Sequence, residues 1–120
     1  MIKAQMEKSD KGESLILKMS GHAEAAPAGE DLVCAGASTL VYTLAQLSMF
    51  YHQQKKLKKK PTLKLDADET LIVLTPKKKY GHEVENAFFF MQTGLSLLAE
   101  NYPNCFDVTA FGEHYGSKSA

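Results

Sequence analysis

The apolar residues of this chain change period repeatedly, and that alternation limits the folds open to it. Residues 2 to 8 and 14 to 20 read as two strands. Leu15, Leu17 and Met19 alternate with Ile16 and Lys18, a period close to two. Asp10, Lys11 and Gly12 between them supply turn chemistry, so a hairpin is the simplest reading. From about Leu32 to His52 the spacing becomes helical. Leu40, Leu44 and Leu47 share one face, with Val41, Ala45 and Tyr42 beside them. Residues 62 to 76, TLKLDADETLIVLTP, read as a second hairpin turning at Asp66 to Glu69 and closed by Pro76. A second helix runs from about His82 to Asn101 on a stripe of Val84, Phe88, Met91, Leu95 and Leu98. Residues 105 to 111, CFDVTAF, alternate as a last strand. The chain after Gly112 is polar, and such an end is expected to fray.

The predicted order is therefore β-β-α-β-β-α-β. Hairpins ahead of each helix favour an α+β fold, a largely antiparallel sheet of about five strands with two main helices packed against it. A length of 120 residues allows one domain. Residues 1–113 are read as that domain and 114–120 as a polar C-terminal tail. Phe89, Phe90 and Leu97 fall off the stripe of the second helix. A helix apolar on more than one face is buried more than once, and a subunit interface is a natural place for the second face.

Charge narrows the function classes. Fourteen cationic residues, all of them lysine, balance fourteen carboxylates, which excludes a histone-like or strongly acidic chain. Without arginine there is no bidentate clamp for guanine or phosphate. No apolar run approaches the roughly 20 residues of a membrane span. The first residues, MIKAQMEKSDKG, are charged and hold no apolar signal region. A cytoplasmic location is expected. Cys34 and Cys105 are too few for a disulfide scaffold and are expected to be free thiols. His22, His52, His82 and His114 show no zinc-ligand spacing, so no metal and no organic cofactor is expected.

The stretch GHAEAAPAGEDLVCAGAS, residues 21 to 38, carries the chemistry. Cys34 falls near a predicted helix start, where free amides and the helix dipole favour thiolate over thiol. His22 ends a strand, and the loop from Ala23 to Asp31 could fold its imidazole back onto the sulfur. A Cys-His pair is the minimum for thiol-based acyl transfer, with the imidazole taking the thiol proton and returning it to the leaving amine. The backbone amides of Ala35 and Gly36 are candidates for an oxyanion site, and Gly36 would also let a substrate backbone approach. A lone cysteine can equally be a packed small residue, and a histidine at a strand end a simple cap.

Gly21-His22-Ala23, then Asp31, then Val33-Cys34-Ala35-Gly36 and Ser38 resemble the motif of the ribosomal-processing cysteine protease family, Prp. The likeness extends over most of the chain in element order and length. Ala37 departs from it, standing where a β-branched residue is expected. The resemblance implies that His22 and Cys34 form the catalytic dyad. It implies a homodimer in the cytoplasm. It also implies a narrow substrate, the N-terminal extension of large-subunit ribosomal protein L twenty-seven, removed after an aromatic residue in connection with ribosome assembly. Asp31 could orient His22, cap the helix, or both. Ser38, four residues after Cys34, shares its helix face and either supports the dyad or is simply a satisfied serine.

Further expectations surround this site. The loop from Ala23 to Glu30 would act as a lid. Glu24, Glu30 and Asp31 would recruit a lysine-rich substrate or be plain solvated carboxylates. Tyr42, Met49 or the Phe88 to Phe90 cluster would supply an apolar groove. Cys105 is read as packed in the last strand; His52, His82 and His114 are unassigned. Two rivals come from other classes. One is a non-enzymatic assembly or RNA-binding protein that uses QQKKLKKKP, residues 53 to 61, against ribosomal RNA. The other is a thiol sensor in which Cys34 is oxidised.

Overall fold

The computed structural model describes residues 1–21, 30–66 and 68–116, and for Glu30 and Asp31 the backbone alone. The proposed lid, Ala23 to Glu30, and His22 lie outside that description. The elements are β1 (Ile2–Lys8), β2 (Leu15–Ser20), α1 (Glu30–Gln53), β3 (Thr62–Leu65), β4 (Glu69–Leu74), α2 (Gly81–Asn101), β5 (Phe106–Ala110) and β6 (Glu113–Gly116). One sheet takes the order β3-β4-β2-β1-β5-β6. Every neighbouring pair is antiparallel except β1 with β5, which is parallel. The expected α+β architecture is present.

The alternation seen in the sequence decides which face each strand buries. Ile2, Ala4 and Met6 of β1, Leu15 and Leu17 of β2, Ile72 and Leu74 of β4, and Phe106 and Val108 of β5 point into one core. Val33, Ala37, Val41 and Leu44 of α1 and Val84, Phe88, Met91 and Leu95 of α2 complete it. Both helices thus cover the same side of the sheet. Lys3, Gln5 and Lys18 stand exposed on the other side, which gives a two-layer fold with one solvated sheet face.

Three sequence expectations change. Among the described residues the sheet has six strands, because Glu113–Gly116 pairs with β5 from Asp107↔Gly116 to Ala110↔Glu113. Residues 113 to 116, expected to fray, are therefore strand. The turn is made by Phe111 and Gly112, at φ 51° and 87°, the positive pair that a two-residue hairpin requires. A phenylalanine seldom accepts that conformation. Here its ring is held edge-on by Phe89, 5.3 Å between centroids, and by Phe88 at 6.1 Å. Phe89 is consequently half-buried against the core, while Phe90 and Leu97 stay exposed.

The second change concerns α1. It begins at Glu30, so the Asp31 backbone falls in the first helical turn rather than at the N-cap position. Third, by length and composition alone, Leu32 to Gln53 would suffice to cross a membrane, with a mean hydropathy of 1.4. Scattered Ser, Thr and Gln residues hide this from a search for unbroken apolar runs. In the fold, Val33, Ala37, Val41 and Leu44 of this helix pack into the core, as the central helix of a two-layer domain does.

Candidate active site

Cys34 lies one turn into α1 and is partly exposed. It opens onto a cleft of about 220 Å³ on the helix side of the sheet. Ser38, one turn further on, lines the same cleft, as its spacing predicts. Ile2, Met19 and Val41 make the cleft apolar, Tyr42 walls it, and Asp66 and Thr70 bring polar groups from the β3–β4 hairpin. Sequence reasoning named Tyr42 as a groove residue but missed Ile2, Met19, Asp66 and Thr70. The signal for these was non-local, since Ile2, Met19 and Thr70 lie in three strands and Asp66 in the turn after β3, and only the sheet order brings them together.

Gly21 lines this cleft too. Its backbone has φ 88°, and a Cβ placed on it would lie 2.3 Å from the Met1 carbonyl oxygen and 3.3 Å from Ile2 Cα. Only glycine fits there, because the clash is with backbone and the conformation is left-handed. The end of β2 is thereby pressed against the start of β1. The chain leaves the described residues at Gly21 and returns at Glu30, the head of α1. His22 is the next residue after Gly21, and consecutive Cα atoms are about 3.8 Å apart. The fold thus brings Cys34, Ser38 and the residue before His22 to one cleft.

Ala35 and Gly36 do not keep their expected role as amide donors. With α1 beginning at Glu30, their N–H groups belong to the internal hydrogen-bond ladder of the helix. The free amides of the first turn are those of residues 30 to 32. Gly36 instead faces α2, where a Cβ would sit 3.3 Å and 3.4 Å from the two Leu98 methyl carbons. It is a helix-packing residue.

The other candidates separate from the cleft. Met49 lies about four turns beyond Cys34 along α1, Phe88 is buried in the core, and Phe90 is exposed on α2. Cys105 is free and buried at the head of β5, and its carbonyl accepts from the Ile2 amide at 3.0 Å. His52 ends α1, His82 opens α2, and His114 pairs with Asp107 on the solvated sheet face. Among the described residues no three His, Cys, Asp or Glu side chains converge as metal ligands would. The side chains of Glu24, Glu30 and Asp31 are outside the description.

A two-layer fold with a partly exposed thiol near the head of its first helix is an arrangement compatible with thiol chemistry. The sequence places it more narrowly. Residues 1–107 match the model of the family "Cysteine protease Prp", and the chain belongs to that family. It is a cysteine protease by that membership. Solved structures share the fold. One is the essential ribosomal-processing protease Prp of Staphylococcus aureus in complex with a substrate peptide. It is 20% identical, with 92% of this chain and 99% of that one covered and a TM-score of 0.69. The same protease with a covalently linked product peptide gives a TM-score of 0.63 at 20% identity over 92% and 99% of the two chains. SMU.848 from Streptococcus mutans is 23% identical, with coverage of 92% and 94% and a TM-score of 0.64. No curated protein matches the chain in sequence.

Proposed function

We propose that this chain is a cytoplasmic endopeptidase that removes the N-terminal extension of large-subunit ribosomal protein L twenty-seven, with Cys34 as nucleophile and His22 as general base and acid. The observation that carries the reading is the shared cleft, in which Gly21 and Cys34 face the same space. The Staphylococcus aureus relative is a ribosomal-processing protease seen with substrate, which supports the substrate class. The free thiols of Cys34 and Cys105 suit a reducing compartment.

The chemistry runs in two halves. His22 takes the Cys34 thiol proton, and Sγ attacks the scissile carbonyl carbon. The carbon–nitrogen bond breaks, a thioester forms on Cys34, and His22 returns its proton to the departing amine. Water then attacks the thioester, giving its proton to His22. The carboxylate product leaves and the thiol is restored. Ile2, Met19 and Val41 provide an apolar surface for side chains of the extension. Asp31 and Ser38 support the dyad.

The enzyme acts as a homodimer. Phe90 is 78% exposed and stands over an apolar groove between the helices, floored by Leu40, Leu47 and Met91. Light scattering after size exclusion is expected to give the mass of two chains for wild type and of one for Phe90→Glu. A monomeric wild type contradicts it.

The substrate assignment is tested by incubating the precursor ribosomal protein from the same organism with the enzyme and sequencing the new N-terminus. One cut behind an aromatic residue of the extension supports the assignment. An intact precursor beside a folded enzyme refutes it.

A further inference from the structure

Two lysine runs that are separate in the sequence form one surface in the fold. The first follows α1. That helix ends with Lys55 at φ 60°, Lys55 N–H donating to His52 O at 3.0 Å and Lys56 N–H to Tyr51 O at 2.9 Å. This bond pattern defines a Schellman terminus, whose left-handed residue is usually glycine. A lysine stands there at a conformational cost. The segment then runs beside residues 75 to 77. Lys58 N–H donates to Thr75 O at 2.8 Å, Lys77 N–H to Lys56 O at 2.9 Å, and Leu57 bridges Pro76. Leu57 is buried and anchors the crossing.

Two of these lysines hold the scaffold. Lys56 Nζ pairs with Glu83 at 2.7 Å and lies over the rings of Tyr51 and Tyr80, at 6.0 and 5.5 Å. Lys58 lies 3.9 Å from Glu13. Glu85, the remaining carboxylate bordering the surface, pairs with Lys8 at 3.7 Å. Lys55, Lys59, Lys60, Lys77, Lys78 and Lys79 are exposed and have no carboxylate partner among the described residues. The whole chain has a formal charge of zero, so this end is a local concentration of cations rather than part of a general excess.

We infer that this lysine surface docks the protein on the phosphate backbone of RNA, independently of base sequence. Lysine contacts phosphate as a point charge, and the absence of arginine removes the usual base-reading fork. The choice of RNA among polyanions rests on the proposed ribosomal substrate. The surface begins where α1 ends, and Cys34 lies 19 residues before Gln53, about 28 Å along a helix. Docking there leaves the cleft open to a peptide. The surface would hold the enzyme on ribosomal RNA while the cleft works on a protein tail.

The test is fluorescence anisotropy of a labelled RNA duplex titrated with the full chain between 50 and 200 mM salt. If all six lysines engage, log K falls against log salt with a slope of about −5; if half do, of about −3. Lys59→Gln/Lys60→Gln/Lys77→Gln/Lys78→Gln is expected to weaken binding at least tenfold and flatten the slope. Lys3→Gln/Lys18→Gln, on the sheet face, is expected to change it less than twofold. Equal loss in both variants, salt-independent binding, or tighter binding to phosphatidylserine vesicles than to RNA overturns the inference. Cleavage of a free peptide is followed in parallel and should be the same in the quadruple variant as in wild type. RNA binding without any cleavage would sink the proposed substrate and leave the docking surface standing. Cleavage without RNA binding would do the reverse.

Discussion

Replacing Gly21 by alanine probes the contact that closes the sheet beside the cleft, and the chain contains its own control. At Gly21 two costs combine. An L-residue at φ 88° loses about 1–2 kcal/mol relative to glycine. Its Cβ also lands 2.3 Å from the Met1 carbonyl oxygen, a backbone atom that cannot rotate away, and such overpacking costs about 1–3 kcal/mol. Gly12 has φ 70° but nothing within 4 Å of a built Cβ, so Gly12→Ala carries the first cost alone. The entropy that alanine removes from the unfolded chain is common to both and cancels in the difference. For a domain of this size about 1 kcal/mol moves Tm by roughly 4 °C. Gly21→Ala should therefore lower Tm by about 4–12 °C more than Gly12→Ala does, both read by circular dichroism. Gly21→Ala should also lower turnover at temperatures where it is folded, because Gly21 precedes His22. Equal shifts in the two variants would refute the argument that close approach to β1 is what demands glycine.

Three other outcomes follow from particular contacts. At Gly94 of α2 a Cβ would meet the Leu40 methyl carbons at 2.7 and 2.9 Å. Gly94→Ala should therefore be near neutral in wild type, yet stabilise Leu40→Ala by about 1 kcal/mol, the helix-propensity gain; additive effects in denaturant melts would contradict this. Lys55→Gly should raise Tm by about 4 °C, since it relieves a left-handed lysine, and a fall in Tm would refute it. Burial pushes the Tyr51 phenol up from its ordinary value, Glu83 adds to the rise, and Lys56 opposes it. The unfolded chain then ionises first, so this group's contribution is complete below about pH 10 and is lost as pH rises through the folded value. Denaturant melts of Tyr51→Phe should show a weaker decline with alkaline pH than wild type; parallel curves would count against it.

Much of this fold was legible because periodicity is local. The alternation of Leu15, Leu17 and Met19 and the stripe from Val84 to Leu98 give elements that agree with the structure within a residue or two. The parallel pairing of β1 with β5 was not legible, because nothing in either strand names its neighbour. β6 escaped because Glu113 to Gly116 carries no apolar alternation; its signal was a glycine following Phe111 in a turn that needs two positive φ values. The motif residues Gly21, Cys34 and Ser38 were found from their spacing and resemblance, and the fold gathers them at one cleft. Ala35 and Gly36 do not fit as amide donors, because a helix starting at either Glu30 or Leu32 leaves free only amides that precede residue 35. The convergence of the lysine runs at Lys55 to Lys60 and Lys77 to Lys79 was likewise invisible, being made by backbone bonds across a hairpin.

The central claim is that Cys34 and His22 together cleave a peptide bond. Its most direct test is mass spectrometry of a peptide carrying the ribosomal protein's N-terminal extension. The peptide is incubated with wild type, Cys34→Ala, His22→Ala and, as a control thiol, Cys105→Ala, each first shown to be folded by its thermal melt. The account predicts a single cut made by wild type and by Cys105→Ala and absent from both Cys34→Ala and His22→Ala. A cut that survives in either of those two variants, or no cut by wild type, would contradict it.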